Sequence, residues 1–252
     1  MIFNLAEPKR ETAAVLSYTG AMTSAEYTAE GKKYTLYTIT GSGTLVVEGK
    51  AKNVDIWSCG GGSSGSSTIG GAGAYCAEAS ALTLSGDYVI AVGAANGNSS
   101  ISNKGVAILS ANGVKKSRNG GTGGGRGTGD GIAKYPFSDS TTFKCHCAGG
   151  GGGLSVSHVN MGSPTSTSMG SGGSNGGNGS SSGMSGGNYG GGNGGSASAG
   201  PSQDPVAYNG SSAKFYGSGG GGGGYAHDLW DGEASGTAGA GYQGVVYIRV
   251  PA

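Results

Sequence analysis

The chain has little charge and little hydrophobicity. Only 12% of its 252 residues are charged, the formal net charge is +1, and 35% are hydrophobic. Low hydrophobicity produces disorder when a high net charge accompanies it, and that charge is missing here. There is no apolar run of the ~20 residues that a transmembrane helix needs, and no basic patch of the kind that nucleic acid attracts. We therefore expect neither membrane insertion nor nucleic-acid binding.

Cysteine is also scarce, with four residues in the chain, which excludes a disulfide-dense scaffold. The first residues are too short and too weakly basic a segment for a secretory signal, so we expect the cysteines to be reduced, small hydrophobic residues in strands. Cys145-His146-Cys147, with His158, is an alternative metal site. Strand alternation would send the two thiols to one face and His146 to the other, and the spacing is not that of a zinc site. We predict no metal and no cofactor.

Helix signals are nearly absent, because apolar residues at a 3.6-residue period are missing and glycine is a poor helix former. Segments rich in β-branched and aromatic residues predict strands instead. These are residues 12–18, 34–40, 44–48, 54–59, 105–110 and 245–250. Residues 24–30 are interpreted as a single helical turn, and residues 81–92 as a hairpin that reverses at 85–87. The terminal strand 245–250 is expected to pair with 54–59.

Glycine, by contrast, is abundant, with 59 residues arranged in blocks that follow strand-like segments. The clearest blocks are Gly60–Gly62, Gly149–Gly153 and Gly219–Gly224, with a looser one at Gly120–Gly125. Ordered glycine can form left-handed helices with three residues per turn, whose outward backbone groups bond to neighbouring helices. A flexible linker is the alternative, above all for residues 170–200. Because the blocks alternate with strands, we predict a mostly β and irregular fold: short β-strands plus packed polyglycine type II helices, with almost no α-helix.

Catalytic motifs lack supporting context. Gly60-x-Gly62-x-x-Gly65 matches the dinucleotide fingerprint but no helix follows it, and no P-loop lysine follows any glycine block. His227 and Asp228 could belong to a hydrolase triad, yet there is no nucleophile elbow. Asp228, Asp231 and Glu233 could suggest glycoside cleavage or a calcium site, but we interpret them as solvated loop residues. The sequence predicts no catalytic residues and no enzyme.

Aromatic and polar side chains lie between the glycine blocks, in segments that resemble recognition loops. The candidate receptor-binding residues are Tyr135, Phe137, His158, Tyr189, Tyr225, His227, Trp230 and Asp231. We expect the cluster at 225–231 to lie beside Tyr135–Phe137 and His158 in one composite surface. Alternatively, the aromatic rings cap the ends of the glycine helices, and the sequence leaves both interpretations open.

From residue 34 to the end, the chain resembles the glycine-rich domains of bacteriophage tail-fibre and tail-tip proteins. The resemblance rests on the entry strand at 54–62, the blocks at 149–153 and 219–224, and the closing 239–250 segment, Gly-Ala-Gly-Tyr-Gln-Gly-Val-Val-Tyr-Ile-Arg-Val. It is similar in design to the polyglycine-helix adhesins at the fibre tips of T-even-like phages.

The resemblance implies a receptor-binding adhesin on the virion, which recognises a host surface glycan or protein through loops between glycine helices. The alternative is a purely structural virion component, such as a fibre, spike or decoration protein. The composition also breaks near Lys50, where ordinary β sequence with few glycines gives way to glycine-rich sequence. This break predicts that residues 1–50 are a β attachment region that binds other tail or fibre proteins and that 51–252 are the glycine-rich domain. A homotrimer, or a cap on a trimeric fibre, is the expected assembly.

Overall fold

The computed structural model describes residues 14–66, 68–114, 134–158, 166–169, 179–180, 183–184, 190–200, 203–228 and 231–252. Within these ranges the regular structure is almost all β, with one short 3-10 helix at Pro136–Ser138, so the predicted mostly β fold is confirmed. None of the helical structure in these ranges is long and apolar enough to span a bilayer.

Within the described ranges, the strands alternate with segments of irregular backbone. In order they are β1 Val15–Tyr18, β2 Met22–Ala29, β3 Lys32–Ile39, β4 Gly43–Cys59, β5 Cys76–Ala91, β6 Ser99–Asn103, β7 Val106–Ala111, β8 Leu154–His158, β9 Ser166–Met169, β10 Gly179–Ser180, β11 Gly183–Met184, β12 Ala197–Gly200, β13 Gln203–Ala207, β14 Tyr225–Asp228, β15 Gly232–Ser235 and β16 Val245–Pro251.

An eight-stranded sheet, here called the base sheet, forms one end of the molecule. Its order is β2-β3-β16-β4-β5-β6-β7, and β1 pairs with β4. The C-terminal strand β16 lies between β3 and β4, with Val245 opposite Cys59 and Arg249 opposite Asp55. The predicted pairing of the last strand with residues 54–59 is therefore confirmed.

The predicted helical turn at residues 24–30 is wrong, since β2 occupies this segment and pairs in register with β3. Glu30 and Gly31 both have positive φ and form the tight turn between the two strands. Strand pairing also buries Tyr27, which is 5% exposed. Burying this ring outweighs the weak local preference that suggested a helix.

The predicted hairpin at residues 81–92 is also wrong, because β5 is one strand of 16 residues that pairs with β4 throughout. Gly86 has a φ of +78° and lies opposite Val47, where the register begins to shift. The positive φ is therefore part of an irregularity in the strand pairing that bends the strand, and the chain does not reverse there.

The proposed domain boundary at residue 50 falls inside the 17-residue strand β4, which continues unbroken into the glycine-rich region.

The two faces of the base sheet bury different side chains. In β16, Val246 and Ile248 point into an aliphatic cluster with residues of β3 to β7, whereas Val245 and Tyr247 point to the other face. That second cluster is rich in aromatic rings and includes Trp57 and Phe143. This cluster faces the irregular glycine-rich segments and lies between them and the base sheet.

These glycine-rich segments connect the base sheet with a second group of strands. We label them run A (60–66), run B (69–75), run C (147–153), run D (190–196), run E (208–213), run F (217–224) and run G (236–244). Runs A and B join β4 to β5. Runs C, D and F lead into β8, β12 and β14, and run G returns from β15 to β16.

The outer strands form a four-stranded sheet, β15-β14-β8-β9, accompanied by the β12-β13 hairpin. β14 and β8 are parallel, as expected if runs F and C leave the base sheet in the same direction. A small cluster of Leu154, Val156, Ala197 and Ala226 holds the outer strands together. The glycine runs thus form a layer between the base sheet and the outer sheet.

Candidate functional site

Run F is at the centre of the glycine layer, since backbone hydrogen bonds join it to every other run. Its partners are Ser63 in run A, Gly71 and Ala74 in run B, Ala148 and Gly151 in run C, Gly192 and Gly195 in run D, Tyr208 and Ser211 in run E, and Gly236, Gly239, Tyr242 and Gln243 in run G. Buried backbone groups need such partners, and here other runs provide them.

The bonds recur every third residue. Gly219 N–H donates to the carbonyl of Ala148 at 2.8 Å, and Gly222 N–H donates to that of Gly151 at 2.9 Å. Three residues therefore bring the backbone back to the same neighbour. Runs C, D and F also bond cyclically, because Gly151 donates to Gly192 of run D and Gly192 donates to Gly219 of run F.

Many glycine positions in these contacts leave no room for a side chain. A Cβ atom added to Gly150, Gly221 or Gly239 would come closer than 3.0 Å to a backbone carbonyl of the adjacent run. Some run residues that carry side chains, such as Asn193 and Ala240, are exposed, whereas others, such as Ala74 and Cys147, are buried in the cluster at the base sheet. Glycine is thus required at the contacts between runs.

An aromatic cluster covers the ends of the glycine runs at the base sheet. His146 stacks on Tyr247 with ring centroids 5.7 Å apart, and Trp57 lies 5.5 Å from the His146 ring. Phe143 meets Tyr247 edge-on at 5.2 Å, and Tyr216 meets His146 edge-on at 5.5 Å. These rings cap the layer, which is the role that the sequence left open beside receptor binding.

Phe137 belongs to this cap and is 8% exposed, so its assignment to an exposed receptor surface is wrong. Its ring packs edge-on against Phe143, and the guanidinium carbon of Arg249 lies 4.5 Å above its centroid. Burial of Phe137 between the Phe143 ring and the Arg249 guanidinium of β16 accounts for the difference. Tyr135 is half-buried beside it and lines a pocket with Trp57 and Cys76.

Tyr225 and His227 lie at the opposite end of run F, on β14. Both are half-buried and alternate with the buried Ala226, so they face away from the small outer core. Their cross-strand neighbours on the same face share polar chemistry. These neighbours are Ser155 and Ser157 on β8 and Glu233 and Ser235 on β15. We call these six side chains the outer patch.

The outer patch borders an open groove with a volume of about 450 Å³. Tyr225 and the hydroxyl-bearing Thr68, Ser155, Ser235 and Thr237 are among its lining residues. A hydrogen bond to Glu233 raises the pKa of Tyr225 and joins this side chain to β15. This arrangement offers a ring face, hydroxyl groups and one carboxylate to a ligand.

The predicted composite surface is not formed, because Tyr135 and Phe137 lie by the base sheet while Tyr225 and His227 lie beyond run F. The backbone of His158 does lie beside this group, paired with Asp228. Asp231 is exposed at the β14–β15 turn. Tyr189 and Trp230 lie outside the described residues.

Two further expectations for polar residues need correction. Asp228 is not a solvated loop residue, since it is 2% exposed within β14, where alternation turns it inward. Cys145 and Cys147 do not alternate in a strand, because residue 146 forms only an isolated bridge with Lys134 and Cys147 has a φ of +64°. Within the described residues, no group of His, Cys, Asp or Glu is arranged to hold a metal ion.

Sequence reasoning missed the roles of Arg249 and Asp55 at the base. The Arg249 Nε donates to the Asp55 carboxylate at 2.8 Å, and its guanidinium covers the rings of Phe137 and Tyr34. The sequence signal that could have revealed the role of Arg249 is the alternation of side chains in β16. It places Arg249 on the same face as Val245 and Tyr247.

Comparison of the chain with protein-family models, curated proteins and solved structures finds no match.

Proposed function

We propose that runs A to G are polyglycine type II helices. The three-residue recurrence of their hydrogen bonds supports this, because such a helix has three residues per turn and no internal hydrogen bonds. Run F with bonded neighbours on all sides is the arrangement expected of a packed array of these helices. The closeness of Gly150 and Gly221 to neighbouring carbonyls also supports it.

We further propose that the chain is a receptor-binding adhesin of a bacteriophage tail or fibre tip. One observation carries this proposal: the bonded glycine layer holds the outer patch at the end of the molecule opposite the base sheet. A surface mounted in this way loses little conformational entropy when it binds. In this proposal the base sheet, which includes the N-terminal strands, binds other tail or fibre proteins, and a trimeric fibre would present several copies.

A host surface glycan is the ligand class that the outer patch favours. Tyr225 offers a ring face against which a sugar can stack, and the serine hydroxyls and Glu233 offer hydrogen bonds. His227 adds a donor or acceptor beside them. A protein receptor is the second possibility, and competition experiments distinguish the two.

The test is binding of the fluorescently labelled full-length chain to a panel of intact bacterial strains. We expect Tyr225→Ala and His227→Ala to reduce binding at least tenfold, because a few contact residues usually carry most of the binding energy. Tyr208→Ala is the matched control, since this tyrosine is 58% exposed and lies outside the patch. Competition by free surface polysaccharide from a bound strain would identify a glycan.

Unchanged binding in both patch variants, at unchanged melting temperature, would contradict the adhesin. It would favour the second candidate, a purely structural virion component. That candidate has its own supporting observation, since Phe137 and the other rings at the base serve to cap the glycine layer. Binding to no strain, combined with incorporation into particles, would also favour it.

A further inference from the structure

Three cysteine thiols meet where the base sheet ends and the glycine layer begins. Cys59 ends β4 and Cys76 begins β5, directly opposite one another. Cys147, the first residue of run C, places its Sγ 2.8 Å from the Sγ of Cys76. Cys59 and Cys147 are also in hydrogen-bond contact. All the thiols are free in this structure.

The three thiols differ in access. Cys59 and Cys147 are 0% exposed, whereas Cys76 is only half-buried. Cys76 also forms part of the wall of an open pocket of about 340 Å³, together with Trp57, Lys134 and Tyr135. A small molecule can therefore reach Cys76 from solvent while its nearest thiol neighbour stays covered.

We propose that Cys76 and Cys147 form a disulfide when the protein meets a low-molecular-weight disulfide of the glutathione class. Cys76 is the entry thiol and Cys147 is the resolving thiol. The pocket at Cys76 is the path of the oxidant, and its wall carries one cationic side chain, Lys134, and one carboxyl group, Glu78. The inference is independent of receptor binding.

The reaction balances as two thiol–disulfide exchanges. The Cys76 thiolate attacks one sulfur of the oxidant, breaks its S–S bond and releases one small thiolate. The Cys147 thiolate then attacks the Sγ of Cys76 in this mixed disulfide, forms the Cys76–Cys147 bond and releases the second thiolate. The two protons lost by the cysteines end on the two released thiols. The protein is oxidised by two electrons and the small disulfide is reduced by two.

Burial of the Cys147 thiol limits the rate of the second exchange. It raises the pKa of Cys147 well above the ordinary thiol value, and the contacts with Cys59 and Cys76 raise it further. Only the thiolate is the nucleophile, so resolution should accelerate as the pH rises. We expect glutathionylated Cys76 to accumulate transiently at neutral pH and to resolve faster at pH 9.

The product would join β5 covalently to run C at the junction of the sheet and the glycine layer. Closing the chain between residues 76 and 147 restricts the unfolded ensemble, and long closed segments gain most from this in the chain-entropy account. We therefore expect the oxidised protein to melt at a higher temperature than the reduced protein, and a reductant to remove the increase.

The experiment treats the reduced full-length chain with oxidised glutathione and follows its intact mass and melting temperature. We expect the wild type to lose two hydrogens without retaining glutathione. Cys76→Ser should stay unmodified, and Cys147→Ala should retain one glutathione. Cys59→Ala and Cys145→Ala are the matched controls and should behave as the wild type.

A wild type that stays reduced, or that keeps a stable glutathione adduct, would overturn the proposal. Loss of two hydrogens in Cys76→Ser would also overturn it, because the buried pair Cys59–Cys147 would then be the reacting one. If Cys147→Ala does not fold, Cys76→Ser still decides, because its half-buried position tolerates a serine.

Discussion

The Tyr247 hydroxyl lies 3.0 Å from Nε2 of His146, and the two rings stack at an interplanar angle of 12°. His146 is 4% exposed, and its Nδ1 has no hydrogen-bond partner among the described residues. Burial lowers the pKa of this imidazole from 6.5 to about 4. The folded protein therefore holds His146 neutral under conditions in which the unfolded chain protonates it.

We predict that stability falls when the pH drops from about 6.5 toward 4. The unfolded state takes up a proton in this window while folded His146 does not, so acid favours unfolding. The loss approaches about 3 kcal/mol, since one pKa unit corresponds to about 1.4 kcal/mol. Above pH 6.5 this contribution is complete and constant. Melting temperature measured between pH 4 and 8 tests the prediction.

His146→Phe is the control, and it should remove the loss of stability toward acid in this window and leave only the opposite contribution of Glu78. Two carboxyl groups act differently. The pKa of Asp139 is lowered, chiefly by hydrogen bonds from Thr141 and Tyr27, so its contribution is lost only in stronger acid. Burial raises the pKa of Glu78, which opposes stability as the pH rises above 4.5. An equal slope in His146→Phe and the wild type would contradict the assignment to His146.

A methyl group in the centre of the glycine layer should be far more costly than one at its edge. Gly221→Ala would force run F away from Asn193. This breaks the bonds of Gly221 with Ser211 and Gly239, at about 1–3 kcal/mol for each orphaned buried group. Ala240→Val, at an exposed position of run G, should change the melting temperature little. Equal melting temperatures in the two variants would exclude a close-packed layer.

The Arg249–Asp55 contact should be worth about 1–3 kcal/mol of coupling, because it is charge-assisted and mostly buried. Asp55 also accepts from the backbone N–H of Ala81 at 2.8 Å. We expect Arg249→Lys to destabilise the fold, since lysine lacks the planar group that covers Phe137. A double-mutant cycle with Asp55→Asn and Arg249→Lys, followed by denaturant unfolding, measures the coupling. A coupling free energy near zero would show that this contact contributes no more to stability than an exposed ion pair does.

Removal of residues 1–33 should destabilise the glycine layer, although these residues precede it. The deletion takes away β1 and β2 and with them Tyr27, whose ring packs edge-on against Phe143 at 5.6 Å. Loss of a buried aromatic side chain costs about 3–5 kcal/mol. The single substitution Tyr27→Ala should reproduce much of the loss in melting temperature. A truncated chain as stable as the full one would restore the independent domain that the composition break suggested.

Backbone amides in the interior of run F should exchange slowly with solvent. Gly219 and Gly222 donate to buried carbonyls of run C, and exchange requires these bonds to open. Gly31 and Gly105 lie in exposed turns between strands and provide the comparison. Hydrogen exchange followed by NMR should show protection factors in run F like those of β16. Exchange of run F at the rate of the turns would show that the layer opens freely.

Much of the base sheet was predictable because its strands carry β-branched and aromatic residues in alternation, as in β3 and β16. The pairing of β16 with residues 54–59 was also predictable, since a strongly apolar C-terminal strand needs a partner strand. The bend of β4 and β5 was not, because glycine at a positive φ indicates a turn and a strand irregularity equally well. Gly86 shows this ambiguity directly.

Two of the six side chains of the outer patch were named from the sequence. Tyr225 and His227 were recognised from their position after the longest glycine block, and they do lie in the outer sheet. Phe137 was misjudged because a short aromatic segment between glycines has the same composition whether it is exposed or buried. What buries it is Arg249 and Phe143, and only tertiary structure brings those groups together.

The layer beneath the outer sheet is held chiefly by hydrogen bonds between peptide groups, so its geometry does not depend on which residues follow each run. A new hairpin placed after Gly153 or Gly224 would start from the same backbone bonds as β8 and β14 do. The sequences that the runs carry can therefore diverge, or be exchanged between proteins, while the support below them is inherited unchanged.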